Sequence, residues 1–289
     1  MKLALVVAAP RGSDGQAFFS ALEADGIFTA SDVDVRVVQD FTQPVAKAPP
    51  GIGLATAPHR SSIFELWGLG LREVTAPYVA LLDIRCPIEP GWLAAITRNL
   101  QDDPSVLFGP VACGWPPNSP NIVGYLVEYV QFHPPLSRHL KEVPGVNLVV
   151  ASTLAQHGDV LKQDGFVKTR LLAHLSASGV APRSVAQSVA TYRKAFGFSD
   201  YCLHRYRHGR CFGADRRFMN SGRRILAVLA TPALPVLRAW RIARAAREAG
   251  LFGAYWRWLH RILAAETAWS LGEFAGYVLG EGGSRAFLR

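Results

Sequence analysis

An unbroken apolar run, Leu3–Ala9, stops at Pro10-Arg11-Gly12, the pattern of a buried parallel strand that ends in a loop. From Gln16 to Ala24 apolar residues recur at helical spacing, at Ala17, Phe18, Ala21 and Leu22. Val33–Val38 alternates around β-branched residues and ends at Gln39-Asp40, which predicts a second strand. A Pro/Ala/Gly loop covers Pro44 to Gly53, and Ile63–Val74 returns to helical period through Ile63, Leu66, Trp67 and Leu71. Tyr78–Leu82 reads as a strand closed by Asp83, Trp92–Leu100 as a helix and Val106–Val111 as a further strand. This alternation of strands and helices predicts an α/β fold, with its sheet covered on both faces. Val146–Val150 predicts a short strand and Thr169–Ser178 a helix closed by Gly179, while Val123–Pro144 gives no clear period.

Ligands of such sheets bind beyond the carboxyl ends of the strands. Asp40, Asp83 and the Pro10-Arg11-Gly12 loop all fall at strand ends on this reading, which makes that edge the candidate site.

Composition adds a second region. The 289 residues suffice for one full core plus an appendage, and 49% of them are hydrophobic against 18% charged. The longest uncharged stretch of interest lies between Arg224 and Arg238 and is interrupted by Pro232 and Pro235. It reads as too short and too broken for the ~20 apolar residues of a spanning helix. The start, Met1-Lys2 followed by Leu3–Ala9, reads as a first strand rather than an export signal, so the expected location is cytoplasmic. Residues 1–200 hold 16 Lys+Arg and 17 Asp+Glu (16 − 17 = −1), whereas 201–289 hold 15 Arg and 5 Asp+Glu (15 − 5 = +10), together the net +9. A near-neutral globule is therefore followed by an arginine-rich tail, which points to a phosphate-rich partner.

The four cysteines are too scattered for a disulfide framework, and free thiols are expected. Cys202, His204, His208 and Cys211 match no common zinc spacing and sit among arginines that would repel a cation. His133, His139 and His157 read as surface or loop residues.

The stretch Gly70 to Leu93, with Asp83-Ile84-Arg85 followed by Pro87-Ile88-Glu89-Pro90-Gly91-Trp92-Leu93, resembles the central motif of family 2 inverting glycosyltransferases. Gly145-Val146-Asn147-Leu148 is similar to the acceptor-side strand of that family, Leu171–Gly179 to a helix that follows, and Tyr201–Arg217 to a basic stretch after it. The resemblance implies a GT-A fold (a Rossmann-like mixed sheet) over 1–218, followed by a basic helical region over 219–289. It implies an enzyme that moves a sugar from a nucleotide-sugar donor to a glycan or lipid-linked acceptor, with Mg or Mn bridging the donor diphosphate. Pro10, Arg11, Asp40, Asp83 and Arg85 would border the donor, and Trp92 and Asn147 the acceptor. Any metal would sit on Asp83.

Two departures qualify those implications. The usual second carboxylate of the acidic motif is Arg85, which repels a divalent cation yet suits phosphate oxygens, so metal-independent donor binding is a coherent alternative. The position of the catalytic carboxylate falls near Val167-Lys168, which leaves Asp164 as the candidate base. A relative that binds a nucleotide sugar, or scaffolds a partner enzyme without catalysis, is the rival reading, and a membrane-binding module without a ligand a third. In the tail, Arg238, Arg241, Arg244 and Arg247 recur every third residue, followed by Tyr255, Trp256, Trp258, Leu259 and Ile262. Residues 236–262 are therefore expected either to lie on an anionic membrane surface or to pack on the chain's own core. Nucleic acid is not expected as a partner, since the basic stretch has no recognised binding motif.

Overall fold

Strand β1 (Leu3–Ala9) is buried along its whole length and pairs in parallel with β2 (Val33–Gln39) on one side and β4 (Tyr78–Asp83) on the other. A strand buried on both faces needs no polar alternation, which is why its sequence reads as one apolar run. The computed structural model describes residues 2–41, 48–137, 142–216 and 221–288. The complete sheet runs β10-β5-β7-β4-β1-β2-β3, with β3 at Gly53–Thr56, β5 at Val106–Phe108, β7 at Leu148–Ala151 and β10 at Arg183–Ser184. Only β7 is antiparallel to its neighbours β4 and β5. Helices α1 (Gln16–Ala24), α2 (Ile63–Leu71) and α3 (Trp92–Leu100) follow the expected spans closely. Ser62 caps α2 in a capping box with Glu65, which fixes where that helix begins. Phe18, Leu22, Trp92 and Ile96 pack under β1 and β4 as the core of this layer.

The region predicted as one strand from Val106 to Val111 is two, β5 and β6 (Val111–Cys113), divided at Gly109-Pro110. A side chain at Gly109 would lie 1.8 Å from the Ser188 carbonyl oxygen, so this bend requires glycine. β6 pairs in parallel with β11 (Ala190–Tyr192). Helix α4 (Ile122–Glu128) stands in a stretch without clear apolar period. After β7 come a single turn, α5 (Ser152–Ala155), the hairpin β8 (Leu161–Lys162) and β9 (Gly165–Phe166), and helix α6 (Lys168–Ala177).

The chain divides into two compact units, 1–114 with 132–193, and 115–131 with 194–289. α7 (Phe198–Asp215) packs with the C-terminal helix α10 (Phe252–Leu279) and so belongs to the second unit. The reason is steric. Gly209 and Gly213 on α7 face the backbone of Trp269 and Glu273 on α10, Gly272 and Gly276 face that of Tyr206 and Arg210 on α7, and a β-carbon at any of the four would lie 1.9 to 2.2 Å from the opposite carbonyl oxygen. Small residues four apart on both helices let the two backbones touch.

Helices α8 (Ser221–Ala230) and α9 (Leu234–Glu248) complete the second unit, joined by a 3₁₀ turn at Thr231–Ala233. Pro232 and Pro235 occupy first-turn positions, where no backbone N–H is needed, so they do not stop the helical run. Arg224–Glu248 is consequently long and apolar enough, by length and composition, to cross a membrane, contrary to the expectation that its prolines disqualify it. Inside this unit Arg205 donates to Glu266, both buried, and lies 4.2 Å from the centroid of the Trp269 ring. Glu273 accepts from Arg238, Trp269 and Tyr277. Arg238 is thus an internal ion-pair partner and not a solvated tail residue.

Candidate functional site

Register places the expected donor residues together. Ala9, Gln39 and Asp83 lie at the ends of adjacent strands, with Asp40 N–H donating to the Ala9 carbonyl at 3.2 Å and Ile84 N–H to the Ala8 carbonyl at 3.0 Å. Pro10, Arg11, Asp40, Asp83 and Arg85 therefore share one carboxyl edge of the sheet, and Arg11 is exposed there. Asp40 is 2% exposed and accepts the Ser61 N–H at 3.2 Å. The loop before α2 is thereby tied to the end of β2, a contact the sequence does not announce, because it is made by a backbone donor.

Asp83 is completely buried, and Arg85 binds it in a fork: Nε to Oδ1 at 2.9 Å and Nη2 to Oδ2 at 2.8 Å. The Arg85 backbone N–H adds a third bond to Oδ1 at 3.0 Å. Burial acts against the guanidinium charge, but Asp83 outweighs it and holds Arg85 charged more firmly than an ordinary arginine. Both oxygens of the one carboxylate that the motif supplies are thus engaged, and the position of the second carboxylate is a cation. This donor set does not fit Mg or Mn, which require hard anionic oxygens with open lone pairs.

Asp164 sits in the turn between β8 and β9 and is likewise held in a fork, by Arg170 Nη1 at 2.7 Å and Nη2 at 2.5 Å. Lys168, at the start of α6, donates to the Val143 carbonyl at 3.0 Å. The candidate base is therefore a paired carboxylate that closes a hairpin onto the first turn of α6.

Trp92 and Asn147, expected on the acceptor side, are both buried. Asn147 accepts the Trp92 indole N–H at 2.7 Å and donates to the carbonyls of Pro110 and Ser188. Its backbone is left-handed, at φ 59°, a conformation asparagine tolerates better than most residues. The geometry makes this pair a clamp between α3, β7 and the strand bend at Gly109. Gly145-Val146-Asn147 marked the position in the sequence, but three partners far apart in the chain defined what it does.

Among the described residues one group of three offers metal-ligand atoms, His157, Asp159 and His174, with those atoms within 4.8 Å of one another. His157 Nδ1 already accepts the Asp159 N–H, and His157 and Asp159 are exposed. The residues Cys202, His204, His208 and Cys211 all lie on α7, where Cys211 is buried and His208 packs on Trp269. His133 is half-buried, which lowers its basicity, and His139 lies outside the described residues. A concavity of about 570 Å³ opens at the opposite, amino-terminal edge of the sheet, around Tyr78, Asp103 and Gln156. It contains none of the donor-side residues.

No known family pattern and no curated protein matches the sequence. Among solved structures, the chain is similar to the mannosyltransferase PcManGT from Pyrobaculum calidifontis, determined in complex with GDP-Man and Mn2+. The TM-score is 0.55 and the identity 13%, over 96% of this chain and 87% of that one. The chain thus has a glycosyltransferase fold, a parallel-dominated mixed sheet with a C-terminal helical part.

Proposed function

We propose that this protein is a glycosyltransferase that takes a nucleotide-sugar donor at the carboxyl edge of β1, β2 and β4 and holds its diphosphate without a divalent cation. The observation that carries this reading is the Asp83–Arg85 fork at the acidic-motif position, on the sheet edge where ligands of α/β folds bind. Asp83 acts as the positioning group for a guanidinium at the phosphate site, and Arg85 supplies the positive charge that departing diphosphate requires. Asp40 and the Pro10-Arg11 loop border the nucleotide. The fold similarity supports this transferase reading, while family 2 membership, inversion, the cytoplasmic location and a glycan or lipid-linked acceptor are parts of the proposal.

A second reading is favoured by one specific observation: Asp164 is closed in a fork by Arg170, so the candidate base is engaged. On that reading the chain binds the donor and does not turn it over. Calorimetric titration with UDP-, GDP- and dTDP-sugars, with and without manganese, tests the first proposal. Binding that is unchanged by manganese and abolished in Arg85→Ala supports it, provided circular dichroism shows the variant folded. Binding that requires manganese, or no binding of any donor, rejects it. Release of nucleotide from a bound donor separates transferase from binder.

A further inference from the structure

The helical unit leaves apolar side chains uncovered on all three of its last long helices. On α8 they are Ile225, Leu226 and Leu229, the last 70% exposed, and on α9 Val236 and Trp240, the latter 59% exposed. On α10, Leu271, Phe274 and Val278 form an outward stripe at intervals of three and four. Large apolar residues clustered in this way mark an interaction surface, in contrast to single scattered ones.

α9 shows what that surface meets. Its inner face, Ala239, Ile242 and Ala246, is buried, and α9 packs on α10. Its outer face begins with Val236, passes Trp240 and ends with Arg244 and Arg247, all exposed and on one helical stripe. Over about 16 Å of helix, at ~1.5 Å per residue, the stripe changes from aliphatic through tryptophan to arginine. That is the order of acyl chains, interface and phosphates across the edge of a bilayer.

Charge selects the occupant. Residues 201–289 contain 15 Arg and five acids. Of those acids, Glu266 and Glu273 are buried in ion pairs with Arg205 and Arg238, and Asp215 and Glu281 are paired with Arg285. Glu248 forms only an exposed pair with Arg244 within its own helix. The outward charge is therefore positive, which opposes a symmetric pairing with a second copy and favours an anionic surface. Although Arg224–Glu248 as a whole is long and apolar enough to cross a membrane, its uncharged run Ile225–Leu237 would reach only roughly 20 Å as a helix against a hydrocarbon core of about 30 Å, and Arg238 beyond it is held by Glu273, which favours docking over crossing.

We infer that the outer faces of α8, α9 and the end of α10 dock obliquely into one leaflet of an anionic lipid bilayer, with Leu226, Leu229 and Trp240 in the acyl boundary and Arg241, Arg244 and Arg247 at the phosphates. This goes beyond the proposed function and does not rest on donor binding. It also extends the contact expected over 236–262 to α8 and the end of α10: beyond α9, Tyr255 and Ile262 are buried and Trp258 donates to the Pro117 carbonyl, while Trp256 stays exposed.

The test is flotation of the full chain with vesicles of 70% phosphatidylcholine and 30% phosphatidylglycerol, beside pure phosphatidylcholine. The double variant Leu226→Glu/Leu229→Glu and the triple variant Arg241→Ser/Arg244→Ser/Arg247→Ser are compared with the parent. All the changed side chains point outward, and circular dichroism confirms folding. The expected result is binding to the anionic vesicles that falls at least tenfold in each variant, and that high salt weakens. The inference is overturned by no vesicle binding, by binding that both variants retain, or by a dimer in sedimentation that the Glu variant dissolves. Protein that resists salt and alkaline carbonate and is released only by detergent would mean a spanning helix, which also overturns it. Calorimetry with donor on the same samples reports the sugar-nucleotide site independently.

Discussion

Arg85 lays its guanidinium across both oxygens of Asp83, two residues earlier in the chain, at 2.8 and 2.9 Å. With Asp83 fully buried and the Arg85 side chain 14% exposed, neither charge is well solvated on its own. Removing one partner leaves the other stranded, at a cost of about 3–5 kcal/mol, whereas removing both restores much of it. Arg85→Ala is therefore expected to lower unfolding stability by about 3 kcal/mol, and Asp83→Ala/Arg85→Ala by less than the sum of the two single changes. Urea denaturation of the four forms measures the coupling, and additive losses would mean that the pair is not a unit.

Asn147 makes a separate prediction. Asn147→Ala removes bonds to Trp92, Pro110 and Ser188, and leaves a β-carbon in a left-handed backbone. Several buried polar groups then lack partners, and roughly 3–5 kcal/mol should be lost. Asn147→Gly loses the same bonds but relaxes the backbone, and should be less damaging by about 1 kcal/mol. Equal thermal midpoints for the two variants would show that the backbone conformation carries no strain.

The glycine crossing of α7 and α10 is tested by contrast. A β-carbon at Gly272 would lie 1.9 Å from the Tyr206 carbonyl oxygen, so Gly272→Ala must push the helices apart, at an expected cost of about 3 kcal/mol, the upper part of the range for overpacking. Gly253, near the start of the same helix, has nothing within 4 Å of its missing side chain. Gly253→Ala should instead be neutral or stabilising by up to about 1 kcal/mol. The two thermal midpoints should move in opposite directions or differ widely.

At high pH two buried acids titrate late. Burial, together with the hydrogen bond to Asp103, pushes Tyr78 up to about 12, and burial pushes the Cys211 thiol up to about 12. Both folded values lie above the unfolded ones, 10.0 for Tyr78 and 9.0 for Cys211, so their contributions are complete below those values. They are lost as pH rises towards 12. Stability should therefore fall from about pH 9 for Cys211 and pH 10 for Tyr78, and Tyr78→Phe should flatten the second part of the profile. A profile identical in Tyr78→Phe would show that Tyr78 does not contribute.

The sheet was legible in the sequence because each strand and helix carries its own local signal. Leu3–Ala9 and Tyr78–Asp83 are buried on both faces and read as apolar runs, and Trp92–Leu100 keeps helical period. The convergence of Asp40, Asp83 and the Pro10-Arg11 loop was legible too, since parallel strands place all their carboxyl ends on one edge. What each side chain does there was not. Arg85 and Asp83 are near neighbours, yet their fork depends on the turn that brings a guanidinium back over the strand end. Asp164 reads in the sequence as the candidate base, and only the β8–β9 turn sets it against Arg170.

The sequence by itself determined the order of the first strands and helices, the edge that gathers the candidate site residues and the positive charge of the last third, because periodicity and charge are properties of the chain as written. Tertiary structure alone decided which arginines are solvated and which are buried against Glu266 and Glu273, where the two units divide, and that Asn147 is a clamp. Those outcomes rest on contacts between residues tens of positions apart. Four glycines illustrate the reason: on α7 and α10 they read as weak points in helices, and only the crossing of the two backbones makes the missing side chains a requirement.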